Sequence, residues 1–429
     1  MLPRRDFLSA GAAVSLTGLA MSRVHSADEK KSNDNVRVGV MGLSRGQSLA
    51  LDLAKISGVE VAALCDVDEK RLNDFAKQFK EKAEKEPTLL TDFRKILDDK
   101  NIDVLVCAAP NHWHAPATIL GCKAGKHVYV EKPCSHNPQE GEWMVEAAKK
   151  YNRCVQMGTQ RRSSPGIIEA MEKLHAGAIG KVHLARCYYT GLRGTIGVGM
   201  EASPPAGINY ELWEGPAPHR AFRTNYLHYN WHWFWHWGGG ELANNGVHGL
   251  DLCRWGLQVD YPKQAVSSGG RYWFDDDQET PDTQTACFEF EGKKQITWEA
   301  LSCNKHDSDQ FVIFYGDNGS LEIGSGGDYS IFDRGDKEIE SGKAGSQGQR
   351  EHLQNFVDAV RAGDPSRLNQ PILYGQKSTL LCHLGNNAYR TGRTVRTNPE
   401  NGHILEDTQQ QALWQREYRP AWREAVTKI

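Results

Sequence analysis

The sequence predicts an α/β chain in two parts: a doubly wound parallel sheet, then an α+β domain whose sheet is mainly antiparallel. Three observations predict it. Apolar runs of strand length alternate with stretches of helical apolar spacing from Val36 to Thr159, about every 25 residues. A Gly-rich turn follows the first strand at once, and an acidic residue closes the second. After Gln160 strands dominate, separated by turn residues rather than by helices.

Taken in order, Val36–Met41 reads as the first strand and runs into Gly42-Leu43-Ser44-Arg45-Gly46. A helix is predicted over Ser48–Ile56, a strand over Val59–Asp66, a charged helix over Lys70–Lys85 and a short one over Asp92–Asp98. Val104–Ala109 is an apolar run closed by Pro110, as a buried parallel strand should be. A helix over Ala115–Ala124, a strand over His127–Val130, a helix over Gly141–Tyr151 and a strand over Cys154–Met157 complete a Rossmann-type pattern across residues 36–159. In residues 160–429 one helix, Ile167–His175, precedes predicted strands over Val182–Thr190, Ala265–Phe274, Thr283–Glu291, Gln295–Leu301 and Phe311–Tyr315. Asp317-Asn318-Gly319 and Asp333-Arg334-Gly335-Asp336 read as hairpin turns. Glu351–Ala362 and Leu373–Thr391 are closing helices.

Composition narrows the function classes. The chain has 429 residues, 39% of them hydrophobic and 24% charged, which describes a globular protein and excludes a disordered one. No uninterrupted apolar run reaches the roughly 18 residues of a membrane span, and no stable anchor is expected. A formal net charge of −3 argues against a nucleic-acid binder. Ten Cys without CxxC spacing indicate neither a zinc ribbon nor a disulfide scaffold. The N-terminus carries Arg4-Arg5-Asp6-Phe7-Leu8, an apolar stretch to Ala20 and small or apolar residues at Val24 and Ser26, the −3 and −1 positions of a cleavage after Ser26. Residues 1–26 therefore read as a twin-arginine signal peptide and 27–35 as a polar linker; the alternative is a chance Arg pair before an apolar helix. Export in the folded state to the periplasm through the twin-arginine machinery is the expectation, with a cytoplasmic cofactor carried along and the thiols reduced.

Several residues point to chemistry. A Gly-rich turn between strand and helix presents backbone N–H groups and a helix N-terminus to a pyrophosphate. Gly42, Ser44, Arg45 and Gly46 occupy that turn, although Ser44 stands where the second glycine of G-x-G-x-x-G belongs and the last glycine comes early; an ordinary tight turn is the alternative. Asp66 follows at the spacing of the carboxylate that accepts the ribose hydroxyls of NAD, or else it caps the next helix. NAD is expected over NADP, whose 2′-phosphate a carboxylate repels, while Arg45 and Arg71 leave room for NADP. Pro110, Asn111 and His114 lie just past a buried strand, where ligands sit in such sheets, or form a plain polar loop. Glu131-Lys132-Pro133 ends the next strand, which would put the Lys132 amine beside a nicotinamide and lower its pKa; a surface lysine is the alternative.

These residues, together with Ala124-Gly125-Lys126-His127-Val128 and Gly238–Asp251, resemble the glucose–fructose oxidoreductase, inositol dehydrogenase and MocA family (Gfo/Idh/MocA). The resemblance runs from Val36 to about Arg396. It implies a Rossmann domain, an open antiparallel sheet domain, substrate between them, NAD or NADP, sugar or cyclitol substrates and a homo-oligomer. It maps the family's lysine onto Lys132 and its second-domain histidine onto His248, with Asn244 in place of the usual aspartate. Asn244 and His248 would share a helix face. Asn can orient a group but not take its proton, so Lys132 and His248 carry the acid–base work.

Tyr226–Trp237 alternates aromatic residues with His and Asn, which predicts an extended chain with an aromatic and a polar face, suited to a sugar. A Trp-rich core seam is the alternative, and a His-only metal site lacks acidic or Cys ligands, so no metal is expected. Arg161, Trp235, His236, Asn244, Asn245 and His248 are the candidate substrate contacts. The function read from all this is NAD-dependent oxidation of a carbohydrate or polyol hydroxyl with a tightly held cofactor. Its rivals are a cofactor-recycling glycoside-cleaving enzyme and a non-catalytic sugar-binding protein.

Overall fold

The computed structural model describes residues 35–429; the expectations placed on the leader and on most of the linker lie outside the described residues. Val36–Met41 (β1) passes through the glycine turn into Gly46–Leu53 (α1), then Val59–Cys65 (β2), Glu69–Ala83 (α2), Thr88–Leu90 (β3) and Arg94–Asp98 (α3). Val104–Cys107 (β4), Asn111–Lys123 (α4), His127–Val130 (β5), Pro138–Lys150 (α5) and Val155–Met157 (β6) follow. The six strands form one parallel sheet in the order β3-β2-β1-β4-β5-β6. The order reverses at β1/β4, the crevice where such sheets bind ligands. All four residues of β4 are buried, as a strand covered on both faces requires. One prediction is corrected here. The helix expected from Ala115 begins at Asn111, because Pro110 caps it and Asn111, His112 and His114 are buried in its first turn.

The second part opens with Pro165–His175 (α6), Val182–Leu192 (β7), Tyr210–Glu214 (α7) and Val247–Leu257 (α8). The strands Gln264–Gly270 (β8), Thr283–Phe290 (β9), Lys294–Leu301 (β10), Cys303–Asn304 (β11), Gln310–Gly316 (β12), Gly319–Gly324 (β13), Tyr329–Asp333 (β14) and Glu338–Gly342 (β15) come next. Gln349–Ala362 (α9), Ile372–Thr391 (α10) and Val395–Arg396 (β16) follow. The sheet runs β15-β14-β13-β12-β7-β10-β9-β8-β16, with β11 paired to β7. It is antiparallel except at β7/β10, where Leu184–Thr190 lies parallel to Gln295–Leu301. The mainly antiparallel α+β reading therefore holds, with both hairpin turns in place. No helix among the described residues is long and apolar enough to cross a membrane, and all ten cysteines are free thiols, eight of them buried.

The parts are joined by polar contacts as well as by apolar packing. Buried Arg162, after β6, grips Asp251 of α8 with Nε and Nη2 at 2.8 and 2.9 Å. Gln370 and Ser378 donate to the same carboxylate at 2.9 and 2.6 Å. Burial works against this carboxylate, but Arg162 and its other donors outweigh it and hold Asp251 below the usual carboxyl range. The stabilisation from this pair is therefore full above the ordinary Asp value and lost as pH falls through the lowered folded one. Asp251→Ala leaves a buried guanidinium unpaired, so denaturant unfolding followed by Trp fluorescence should show a loss of about 3–5 kcal/mol. A loss under about 1 kcal/mol would show that the network contributes little.

Candidate active site

A cleft of about 350 Å³ runs along the carboxyl ends of β1, β2, β4 and β5, roofed by the second part of the chain. Its floor starts at Gly42. With φ +89° this residue sits in the left-handed region, and a Cβ would fall 2.6 Å from Ala108 O and Ala109 N. Only glycine fits there. Asp66 braces the turn: Leu43 N donates to Oδ2 at 2.7 Å and Asp68 N to Oδ1 at 3.0 Å. Burial raises the Asp66 carboxyl above its usual value, and these backbone N–H groups oppose that. Ser44 and Arg45 line the cleft, whereas Gly46 does not. Gly46 instead opens α1, where a Cβ would lie 3.0 Å from Val40 Cγ1, so it serves helix–strand packing. The first turn of α1 has no side-chain cap, although Gln47 N donates to Ser44 O at 3.4 Å, and its start faces where an anion would sit. An all-but-forced glycine, an uncapped helix start and a lining carboxylate at the end of β2 fit a dinucleotide.

The middle of the cleft is charged. Arg45 Nε pairs with Glu131 Oε1 at 3.1 Å, and its Nη groups reach Ser48 and Gln349 of α9. Pro110, Asn111 and His114 line the wall. His114 is pinned between two carbonyls, Nδ1 to Pro133 O at 2.5 Å and Nε2 to Ala109 O at 2.7 Å. Burial nonetheless lowers its pKa, against the pull of those carbonyls. Lys132 Nζ crosses to the second part and donates to Asn244 O at 2.8 Å and Asn244 Oδ1 at 3.0 Å. Burial pulls the Lys132 ammonium below its ordinary value. Glu131 and Glu241 oppose that shift, while Arg45 and Arg193 add to it.

Asn244 stands in a π-helical turn, Leu242–Gly246, ahead of α8. Its Nδ2 donates to Tyr229 OH at 3.2 Å. The helical run continues from this turn into α8, and along it Asn244 lines the cleft while His248 lines a smaller adjoining cavity with Arg161. Asn245 borders both. Burial, then the charges of Lys132 and Arg161, push the His248 ring well below its usual pKa and keep it neutral.

The Tyr226–Trp237 segment is not extended. It is built of turns around a 3₁₀ turn at Asn230–Trp233. Tyr226, Trp231, Phe234 and Trp237 join Tyr210, Trp213 and Phe222 in an aromatic cluster of their own. The core-seam alternative therefore describes most of the segment. Trp235 and His236 are not part of the cleft lining. Trp235 lies under Arg390, 5.1 Å from ring centre to guanidinium, and His236 Nε2 is bonded to Pro218 O at 2.8 Å. The histidines diverge, and among the described residues no group of three His, Cys, Asp or Glu is placed to hold a metal.

Tyr229 and His232 of this segment do face the cleft. His232 stacks on Trp231 with centroids 3.5 Å apart, and its Nδ1–H donates to Tyr229 O at 2.6 Å. Burial holds its pKa down at about 3, so the ring is neutral and Nε2 is left as an acceptor. Sequence reasoning counted His232 among an alternating polar set without separating it from His228 and His236, and pattern alone could not have done so. Arg193, paired with Glu241 at 2.7 Å beneath Tyr229, carried no sequence signal at all.

A strap from the second part closes the far end. Asn209 N donates to Val67 O at 2.9 Å, Glu69 N to Gly207 O at 3.0 Å, and His228 Nε2 meets Asp68 Oδ2 at 3.1 Å. Ile208, Leu212 and Trp213 thereby roof the cleft next to Asp66.

Residues 36–159 match the model of an oxidoreductase family with an NAD-binding Rossmann fold, and residues 194–424 match the model of that family's C-terminal α/β domain. The chain belongs to the Gfo/Idh/MocA oxidoreductase family. Among its relatives are the myo-inositol 2-dehydrogenase of Thermotoga maritima, 36% identical over 35% of this chain and 44% of that protein, and a glycosyl hydrolase family 109 protein of Saccharopolyspora erythraea, 28% identical over 35% and 34%. The match spans less than half the length of these relatives. A levoglucosan dehydrogenase solved with NADH and levoglucosan superposes with a TM-score of 0.66 at 18% identity, covering 84% of this chain and 99% of that one, a likeness of fold.

For this family member, Asp66→Ala should weaken NAD binding about tenfold or more, since it removes both a carboxylate lining the cleft and the brace on Leu43, and should narrow the gap between NAD and NADP. Titration of both dinucleotides checks it. Tighter binding of NADP than of NAD by the unmodified protein would overturn the role given to Asp66.

Proposed function

We propose that this chain oxidises a hydroxyl of a sugar or polyol and keeps its dinucleotide through turnover. The observation that carries the reading is the Lys132 amine, held in the cleft by the two bonds it donates to Asn244 beside the strand end of a dinucleotide fold. NAD, when bound, supplies the hydride acceptor. The chain's own residues handle the proton. Burial favours the neutral Lys132 amine, whose two hydrogens go to Asn244 O and Oδ1, leaving the lone pair free to take the hydroxyl proton. His232 Nε2 accepts a neighbouring hydroxyl, and Tyr229 presents an aromatic face. His248, next door, orients the substrate past Asn245.

The strap at 207–228 supports retention, because it sews the cleft shut beside Asp66. Retention supports a second reading, in line with the family 109 relative. Oxidation of a ring carbon acidifies the adjacent C–H, the aglycone leaves by elimination, water adds to the enone, and the ketone is reduced back. The net change is hydrolysis. The twin-arginine leader, read from Arg4 and Arg5, supports export to the periplasm with the cofactor aboard.

Mass spectrometry of small molecules released on denaturing the purified protein should find about one nicotinamide dinucleotide per chain. An assay without added NAD then separates the readings: steady glycoside hydrolysis favours recycling, and a single stoichiometric reduction favours plain oxidation. Absence of bound dinucleotide would defeat retention. Arg4 and Arg5 replaced by Lys should hold the protein in the cytoplasm with its leader uncut; unchanged delivery would remove the export argument.

Lys132→Met should cost about 10²–10⁴-fold in kcat/KM with NAD still bound. Asn244→Asp places a carboxylate against the amine, which raises the Lys132 pKa and moves the acid limb of the kcat/KM profile to higher pH. Asn244→Ala should not move it that way. An unmoved profile in Asn244→Asp would show that Lys132 is not the titrating base.

A further inference from the structure

Beside the cleft, across Asn245, lies the cavity of about 160 Å³ that holds His248. Its lining is cationic and hydroxylic: Arg161, Tyr188, Tyr189, Thr190 and His248 contribute, and no carboxylate does. The Arg161 guanidinium rests 4.1 Å above the Phe311 ring and donates Nη2 to Ser325 O at 2.8 Å. Its Nη1 is enclosed without a hydrogen-bond partner. Burial lowers its pKa to about 10, which leaves it charged at neutral pH. Thr190 Oγ1 and His248 Nδ1 are enclosed without partners too.

The neighbouring arginines behave differently. Arg162 has Asp251, Arg193 has Glu241 and Arg45 has Glu131. Arg161 alone among these four lacks a counter-charge. An enclosed cation without one is destabilising, and folded chains pair nearly all their buried polar atoms. Three residues lining one small cavity each hold an enclosed polar atom without a partner, one of them on a fixed cation, and an oxyanion supplies what that lining lacks: negative charge and several acceptor oxygens. A neutral hydroxymethyl group would satisfy Thr190 or His248 but would leave the guanidinium uncompensated.

We propose that this cavity takes a negatively charged oxyanion group of the substrate, a carboxylate or a sulfate ester, so that the chain acts on acidic sugars. The inference rests on the carbohydrate reading of the adjoining cleft. The acidic group enters beside His248 and Arg161, while the carbon to be oxidised lies across Asn245 near Lys132.

The test uses the full holoprotein and three probes: methyl glucoside, methyl glucuronide and methyl glucoside 6-sulfate. Calorimetry reads binding, and absorbance of the bound nicotinamide reads oxidation. One or both acidic probes should bind about 10- to 100-fold tighter than the glucoside, the size of one good charge-assisted contact. Which of the two binds identifies the oxyanion. The preference should shrink with added salt. Arg161→Met should collapse the acidic-to-neutral ratio toward one, and Arg161→Lys should restore part of it. If Arg161→Met does not fold, the three-probe comparison on the unmodified protein and Arg161→Lys decides. Equal or tighter binding of the neutral glucoside overturns the inference, even if that sugar reduces the nicotinamide and the oxidation reading stands. Tight binding of an acidic probe without reduction keeps the inference and defeats the oxidation reading instead.

Discussion

The contact between Lys132 and Asn244 is the constraint on which the site depends. A lysine at the end of a buried strand gains a chemical role only if its amine is held, partly desolvated and aimed. Here the strand end comes from one part of the chain and the two acceptors from the other, so their relative position must be fixed to hydrogen-bond accuracy. The buried Arg162–Asp251 network, the strap against β2 and α2, and Arg45 reaching from the glycine turn to α9 all serve that fixity. The π-helical turn belongs to the same arrangement: it presents both the backbone and the side-chain oxygen of Asn244 to a single amine.

Much of this was legible before any coordinates. Strand-and-helix alternation placed β1, β2, β4 and β5 closely, and Gly42, Asp66 and Lys132 could be singled out because strand ends are where a doubly wound sheet does its work. What sequence could not supply was tertiary. Alternating aromatic and polar residues over Tyr226–Trp237 carry a strand-like period, yet the rings fold inward around turns to make a separate aromatic cluster. Local pattern cannot tell those arrangements apart when the rings find each other rather than a sheet. The π-helical turn left no trace in spacing. Arg193 and Glu241 are distant in sequence and become partners only through the fold.

Charge in the cleft is carried by few groups. Burial pulls the His114, His232 and His248 rings below their ordinary pKa, and His232 and His248 act as neutral rings across the physiological range. The cleft lining otherwise carries the arginines Arg45 and Arg71 and the acidic residues Asp66, Asp68, Asp92 and Glu131. Lys132, between them, is the group whose state depends on what binds beside it.

The large sheet has two unlike ends with one effect. At one end β15 sets exposed Glu338 and Glu340 along its free edge, and at the other β16 is two residues long. Neither offers a long, uncharged rail of backbone donors and acceptors to another molecule. Growth of the sheet from copy to copy is thus discouraged in the hydrogen-bonding direction. Association between copies, where it occurs, is left to side chains on a face rather than to the backbone of these edges.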